Sequence, residues 1–510
     1  MDKKYLLGID VGTTGAKVIA FDLKGGVVSS AYREYACIYP KTGWVEQDCG
    51  MLIETVFDCC TNVIDGVKIQ GKNILSISVS AQRSSTILID GDGRILKMIS
   101  WLDNRADKEV EEIEEKVGRE HFYDVTGLPL CATWMLPKIL HTRKHEPEIF
   151  KKTNKIVQLQ DVILKALGAE EYISDEPEAC FFGVWDSRHF CYSEEFLRAF
   201  ELDEDLFPRI KRSGSIAGRV SLETAHKTGL MAGTPICVGI GDQNGAALGA
   251  GIVEPGMVSV SIGTGGLATF MLDTCYRDPK GQTMVTNHAV HGMWTFEGLQ
   301  NAAAGAFRWF RDEIAAYEQF RDKDGVYDTL NRMIENAPPG AKGLLMLPYF
   351  AGSAAPRWNS EAKGCFLGLT LGHDRGCMAR SCVEGITLEQ KDIMESMAGS
   401  GLDIKCVRIV GGAAKSEVWN QIQADIYQKP CETLMVPDAA ALGAAVCAGV
   451  GVGLFEDVQE GVKNMVKVKK RYEPNPENAG IYQSLYRLYR QAYDALSEGG
   501  VFHGLQELQR

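Results

Sequence analysis

The sequence lacks several signatures that would each assign a function outright. No Cys-x-x-Cys pair occurs among its fifteen cysteines, so neither a zinc ribbon nor a dithiol redox motif can be read from them. No His-Glu-x-x-His occurs among its nine histidines, and His288 and His291, three apart, suit a strand end or a surface better than a metal. Basic charge is short as well. Lys and Arg number 54 against 67 Asp and Glu, and the net charge of −13 argues against a nucleic-acid or anionic-membrane partner. An anionic small molecule would have to be held by local backbone dipoles and a metal. Long runs of bulky apolar residues are missing too. Residues 439–455 carry no charged side chain, but they are Ala, Gly and Val for the most part, so a buried helix followed by a Gly-rich turn is expected there. Asp10 interrupts the apolar run after Lys3 and Lys4, which argues against a signal peptide. The scattered cysteines then read as reduced, largely buried thiols of a cytoplasmic protein.

What is present is an ordinary globular composition at a length, 510 residues, that calls for two or three domains. Amphipathic helices alternate with short apolar strands, which predicts an α/β fold. Strands are expected over 5–10, 17–22, 74–80, 86–90 and 344–347, and helices over 51–65 and 105–116. Near the end, Tyr482, Leu485, Tyr486, Tyr489, Tyr493 and Leu496 recur at helical spacing and predict a helix face docked on the second domain.

The informative feature is an internal echo. In LGIDVGTTGAK an apolar strand carries Asp10 near its end and breaks into Gly12-Thr13-Thr14-Gly15. Such a turn is either a hairpin whose Asp accepts its own backbone bonds, or a row of N–H groups facing phosphate with a metal-holding carboxylate beside it. VSVSIGTGGLATFML repeats the pattern, with Gly263-Thr264-Gly265-Gly266 as the turn and Ser261 opposite Asp10. Two such hairpins about 250 residues apart suggest a duplicated domain in which the first copy alone supplies the metal carboxylate.

Two further stretches place small residues after a strand. In VGIGDQNGAALGAG the strand ends at Asp242, which is either a helix N-cap or a catalytic carboxylate; the stretch fails as a dinucleotide fingerprint because Asn244 replaces the third Gly. In VRIVGGAAKSEVWNQIQAD the run Gly411-Gly412-Ala413-Ala414 is either a tight turn or a floor on which a flat ligand lies.

Taken together, GIDVGTTGAK, GWVEQD, WLDNRA, GIGDQNGAALGAG, SIGTGG, GLLMLPYFAGSAAPRWN, GGAAKSEVWNQIQAD and DAAALGAA resemble, in order and spacing, the FGGY family of carbohydrate kinases over nearly the whole chain. The resemblance implies two RNase H-like domains of the actin and hexokinase type with an interdomain cleft, here 1–250 for sugar, metal and catalytic Asp and 251–510 for nucleotide. It implies ATP and Mg²⁺ as cofactors and a small sugar or polyol as substrate, with no nucleic acid and no membrane, and it leaves a homodimer open. By position, Asp242 is similar to the family's catalytic base and Asp10 to its Mg²⁺-holding group. Thr13, Thr14, Gly263 and Thr264 would face the phosphates, with Lys17 as an added cation or a solvated lysine. Gly411, Gly412, Ala413 and Asn420 would line the adenosine pocket, and DAAALGAA resembles the closing helix of the nucleotide domain.

The substrate segment departs from the family's best-known members. Xylulokinases carry Met-His and glycerol kinases Arg-Glu where this chain has Arg83-Ser84, and His141 stands where Trp is usual. With Arg83 as a fork of donors, Ser84 leaving room, Asp103, Asp242 and Gln243 close by and Trp44 packing on a carbon face, the resemblance implies a pentulose such as D-xylulose. Arg83 pairing only with Asp103 is the bland alternative. Among functions, the alternatives are a polyol kinase of the glycerol or erythritol type and, from another class, an actin- or Hsp70-like ATPase module working through a partner. A silent sugar sensor is disfavoured by the presence of both Asp10 and Asp242.

Overall fold

The computed structural model describes residues 3–66 and 69–509. Its α/β chain forms two compact units, and the division does not fall at one point near residue 250. The first unit holds residues up to Val253 together with Met271–Thr295 and Asp438–Lys467; the second holds Glu254–Phe270, Phe296–Pro437 and Val468–Arg510.

The sheet of the first unit runs Ile216–Arg219, Pro235–Gly241, Ile74–Ala81, Tyr5–Val11, Gly15–Asp22, Val27–Glu34. Its three central strands are parallel and the flanking pairs are antiparallel. Parallel strands need cover on both faces, and alternation along Tyr5–Val11 shows how it is supplied. Leu7, Ile9 and Val11 join Val79, Leu52, Val56, Leu159 and Ile163 in one apolar core. Gly8 faces the other way, and a methyl group there would lie 2.0 Å from the carbonyl oxygen of Ala441.

That contact explains the run at 439–455. The helix Ala439–Gly451 has only small residues at its close approaches, and the sheet beneath it is small-residued to match. In Ile74–Ala81 every second residue on that face is a serine, Ser76, Ser78 and Ser80, with Ser76 donating to the carbonyl of Ala448 at 2.6 Å. The helix Asp242–Gly249 crosses the same helix backbone to backbone: methyls on Gly443 and Gly249 would meet the carbonyls of Gly245 and Ala439 at 2.1 and 1.9 Å. Small side chains on all three elements let the helix settle against the sheet of the first unit, so DAAALGAA packs with residues up to 253. Among the described residues, no helix is long and apolar enough to cross a membrane.

The second unit repeats the plan. Its sheet includes, in order, Trp294–Gln300, Gly266–Leu272, Met257–Ile262, Cys406–Val410, Cys431–Leu434 and Val468–Tyr472. Here too a hairpin, Met257–Ile262 with Gly266–Leu272, is followed by two parallel strands and an antiparallel edge. The tail helix Ala479–Glu498 lays Tyr482, Leu485, Tyr489 and Tyr493 on this unit, and Tyr482 donates to Glu384 at 2.8 Å.

Candidate active site

In an open α/β sheet, ligand-binding groups collect at the carboxyl ends of the parallel strands. In the first unit these ends are Val11, Ala81 and Gly241, and the acidic residues expected to act sit there. Asp10 pairs in register with Lys17 on one side and Ser80 on the other, so all three share the face covered by helix Ala439–Gly451. The Oδ1 of Asp10 is buried without a hydrogen-bond partner. Burial, and after it the nearby charge of Asp242, push this carboxyl up to about 7, against the opposing pull of Lys17. A buried carboxylate oxygen with no donor and a second acid nearby suits a divalent hard cation, so the donor set fits Mg²⁺.

Asp242 is the first residue of its helix and the N-cap position falls to Gly241, so Asp242 is not the N-cap residue, although its carboxylate takes up a first-turn N–H. Its side chain is 26% exposed, and its Oδ1 accepts from the backbone of Gln243 at 2.7 Å. The Nε of Arg83 lies 3.5 Å from that same oxygen. Arg83 also donates to Asn244 Oδ1 at 3.1 Å and stacks over the Phe181 ring at 4.6 Å. Asn244, which spoils the dinucleotide fingerprint, is thus a support for Arg83, itself anchored on Thr295 at 3.1 Å.

Three other expected substrate residues are engaged by partners within the protein. Asp103 is fully buried and accepts from the backbone of Val45 and from Arg105 through its N, Nε and Nη2. Burial opposes ionisation there, yet the bonds from Arg105 and Val45 hold the carboxyl below its usual range. Its partner is Arg105, two residues on, and Arg83 is committed to Asp242, so neither the acceptor role given to Asp103 nor the Arg83–Asp103 pair stands. Ser84 is buried at φ 60°, donating its hydroxyl to Thr133 and its N–H to Gln158. The ring of Trp44 carries the Arg105 guanidinium at 3.9 Å and the Lys41 ammonium at 4.5 Å. Arg83, Asp242 and Gln243 remain together.

Glu178 was not legible as part of this site. It is fully buried, neither of its carboxyl oxygens has a partner, and a methyl on Gly241 would lie 2.3 Å from its Oε1 and 2.7 Å from the Arg83 side chain. Burial, with the charges of Asp175 and Asp161, raises it well above the carboxylate range. Asp175 and Asp161 are themselves pushed up to about 7 and about 8 by burial. Glu178, a buried acid pushed up by its surroundings, thus lies with the Arg83 side chain against Gly241.

The first hairpin is held from below. Tyr35 donates to the carbonyl of Gly12 at 2.5 Å, Gln47 to that of Thr13 at 2.9 Å, and the Trp101 indole to Thr13 Oγ1 at 2.9 Å. Thr14 is left exposed. Lys17 is paired, with its Nζ 2.5 Å from Asp438 Oδ1, a residue that sequence reasoning did not single out.

In the second unit the matching turn is one residue shorter. Val11↔Ala16 closes four residues and Ile262↔Gly266 closes three, and in both the residue before the closing pair is the one expected, Asp10 or Ser261. Thr264 is exposed, and Arg308, also missed, reaches its Oγ1 at 3.3 Å. Gly411 adopts φ 82°, and a methyl there would meet the Ile262 carbonyl at 2.7 Å, so this turn and the hairpin touch backbone to backbone. Gly412 is exposed while Ala413 is buried. Asn420 is buried too, its amide donating to Ala414 at 2.9 Å and to Tyr472 at 3.3 Å, so it braces the turn from inside. His288 and His291 go separate ways: burial lowers the first to about 4, and the second is exposed beside Glu176 at 2.9 Å.

Known proteins share this architecture. The family model described as the N-terminal domain of the FGGY family of carbohydrate kinases matches residues 5–249, and that of the C-terminal domain matches 258–452. A xylulose kinase of Bacillus subtilis (strain 168) is 30% identical over 494 residues, covering 96% of this chain and 97% of its own. A gluconokinase of Bacillus licheniformis is 29% identical over 496 residues, covering 95% and 94%. The crystal structure of a ligand-bound xylulose kinase from Lactobacillus acidophilus superposes with a TM-score of 0.88 at 26% identity, covering 97% of this chain and 98% of that one.

Proposed function

Because this chain belongs to the FGGY family of carbohydrate kinases, we propose that it phosphorylates a five-carbon ketose, D-xylulose first, with Asp242 as general base. ATP is the family's phosphate donor, and the ATPase-module alternative falls with the membership. The observation that carries the reading is Asp242 itself: a part-exposed carboxylate at a strand end, just past the N-cap position and held by Arg83.

Phosphoryl transfer leaves a protein little covalent work, so positioning and charge neutralisation dominate. In the proposed reaction the Asp242 carboxylate accepts the proton of the substrate hydroxyl as that oxygen attacks phosphorus. Arg83 fixes Asp242, and its fork of donors suits a vicinal hydroxyl or carbonyl oxygen. The hairpin turns, with Thr13 and Thr14 in the first and Gly263 and Thr264 in the second, each offer backbone and hydroxyl donors suited to phosphate. Mg²⁺ on ionised Asp10 would neutralise phosphate charge, which the orphaned Oδ1 supports. Gly411, Gly412 and Ala413 keep a backbone surface open to the adenosine, with Asn420 bracing it. Free thiols at all fifteen cysteines support a cytoplasmic setting.

The second reading is a polyol kinase. Arg83 favours it, and Ser84 speaks against it, since the position next to Arg83 offers no carboxylate to a short polyol. ATP consumption against D-xylulose, L-xylulose, D-ribulose, L-ribulose, gluconate, glycerol and erythritol separates the two. D-xylulose is expected to give the highest kcat/KM; glycerol or erythritol above every pentulose would overturn the pentulose reading in favour of the polyol one.

A further inference from the structure

Away from the strand ends, the helices Asp107–Val117 and Met135–His145 bring three metal-competent side chains together. His141 and His145 stand four residues apart and so share one helix face. Glu109, in the first turn of the other helix, points both carboxylate oxygens at them: Oε2 lies 3.1 Å from His141 Nδ1 and Oε1 lies 3.3 Å from His145 Nε2. One donor atom from each of the three residues falls within 4.8 Å of the others. The two rings are 4.4 Å apart, centre to centre, and tilted by 39°.

We propose that Glu109, His141 and His145 form a binding site for one Zn²⁺-class ion, which clasps the two helices together. Four observations carry it. Two imidazoles and one carboxylate are a donor set suited to Zn²⁺, with a fourth position left for water, whereas Mg²⁺ prefers all-oxygen octahedral coordination. Two ligands at about 2.0–2.1 Å from a tetrahedral centre lie about 3.3–3.4 Å apart, and the observed separations of 3.1 and 3.3 Å are close to that. Glu109 and His141 are buried, so an ion between them would be held away from bulk water. His145 is half exposed and gives an ion a way in from solvent.

The alternative is an ion cluster with no metal, in which protonated histidine offsets the buried Glu109. It differs in what it does with added ion. The site also adjoins the segment around Trp44, whose ring meets the edge of His141 at 5.8 Å. Metal loading would therefore stiffen the ground on which Trp44 and Arg105 stand.

The test uses the full chain, stripped with a chelator and kept reduced, and reads metal rather than activity. Zn²⁺ is titrated in competition with a chromogenic chelator in excess Mg²⁺, and Co²⁺ is bound in parallel for its visible spectrum. One tight equivalent is expected, with tetrahedral Co²⁺ bands that lack thiolate-to-metal charge transfer, and with a higher thermal midpoint on loading. His145→Gln, half exposed and harmless to the fold, and Glu109→Gln should each weaken binding by about 100-fold or more and abolish the thermal shift. Absence of a tight equivalent, a thiolate charge-transfer band, or His145→Gln binding as tightly as the parent would each overturn the proposal.

Discussion

Lys17 and Asp438, 421 residues apart, meet with Nζ and Oδ1 at 2.5 Å. One sits in the opening hairpin and the other on the turn into helix Ala439–Gly451, so the ammonium expected to face phosphate already has an anionic partner. Both side chains are about one-third exposed, and such a pair contributes no more than about 1 kcal/mol. Asp438→Asn is therefore expected to leave the urea midpoint nearly unchanged while lowering the KM for ATP, because the released Lys17 becomes available to phosphate. Lys17→Met should raise that KM several-fold. Unchanged KM values in both variants would make the pair a structural one.

Asp242→Asn keeps the shape of the strand end and removes the proton acceptor. With the best sugar, kcat is expected to fall by about 10²–10⁴-fold while ATP affinity is retained. Steady-state kinetics alongside calorimetric nucleotide binding read the two separately. Turnover near that of the parent would remove Asp242 from the base role.

Asp10 links the site to pH. Its carboxyl titrates at about 7 in the folded chain against 3.8 when unperturbed. The folded state therefore keeps a proton that the unfolded state loses, and its contribution to stability is full below about pH 4 and lost as pH rises through 7. The size is on the order of 4 kcal/mol as an upper bound. Asp175 and Asp161, raised to about 7 and 8, act in the same sense. Without metal, stability should decline from pH 5 to pH 8, and Asp10→Asn should flatten part of the slope. Mg²⁺ should raise the thermal midpoint more at pH 8 than at pH 5.5, and Ser261→Ala should leave that difference intact. An Asp10→Asn slope equal to the parent's would show that the carboxyl is ionised in the folded chain.

Gly8 tests the packing that brings Asp438 to Lys17. A methyl there would sit 2.0 Å from a backbone carbonyl, which cannot swing aside as a side chain can. Gly8→Ala is expected to cost about 3 kcal/mol or more of stability in urea unfolding. A loss below about 1 kcal/mol would mean that the helix is not seated on that strand.

The parts of this molecule that the sequence makes legible are the local ones. A hairpin with a Gly-Thr turn writes its strands, turn and closing residues within fifteen positions, so the two copies and the match of Asp10 with Ser261 could be read directly. The site is less legible because its partners come from afar or are chosen by burial. Asp103 and Arg83 look like partners in sequence, but Arg105 is two residues from Asp103 and takes all the acceptor capacity that Val45 leaves. Glu178 gave no sign, since a buried carboxyl packed behind a glycine has no motif. His141 and His145 carried a spacing signal, but Glu109 joins them only through the packing of two helices.

The placement of Asp438–Lys467 also sets an order of events at the ribosome. The layer that covers Gly8, Ser76 and Ser78 is synthesised well after residue 253, so the first half emerges with one side of its sheet bare and must wait. A polypeptide ending at residue 253 would expose that side for good. Dissecting this enzyme into halves therefore calls for grafting 438–467 back onto the first half, and natural truncations upstream of 438 forfeit both halves at once.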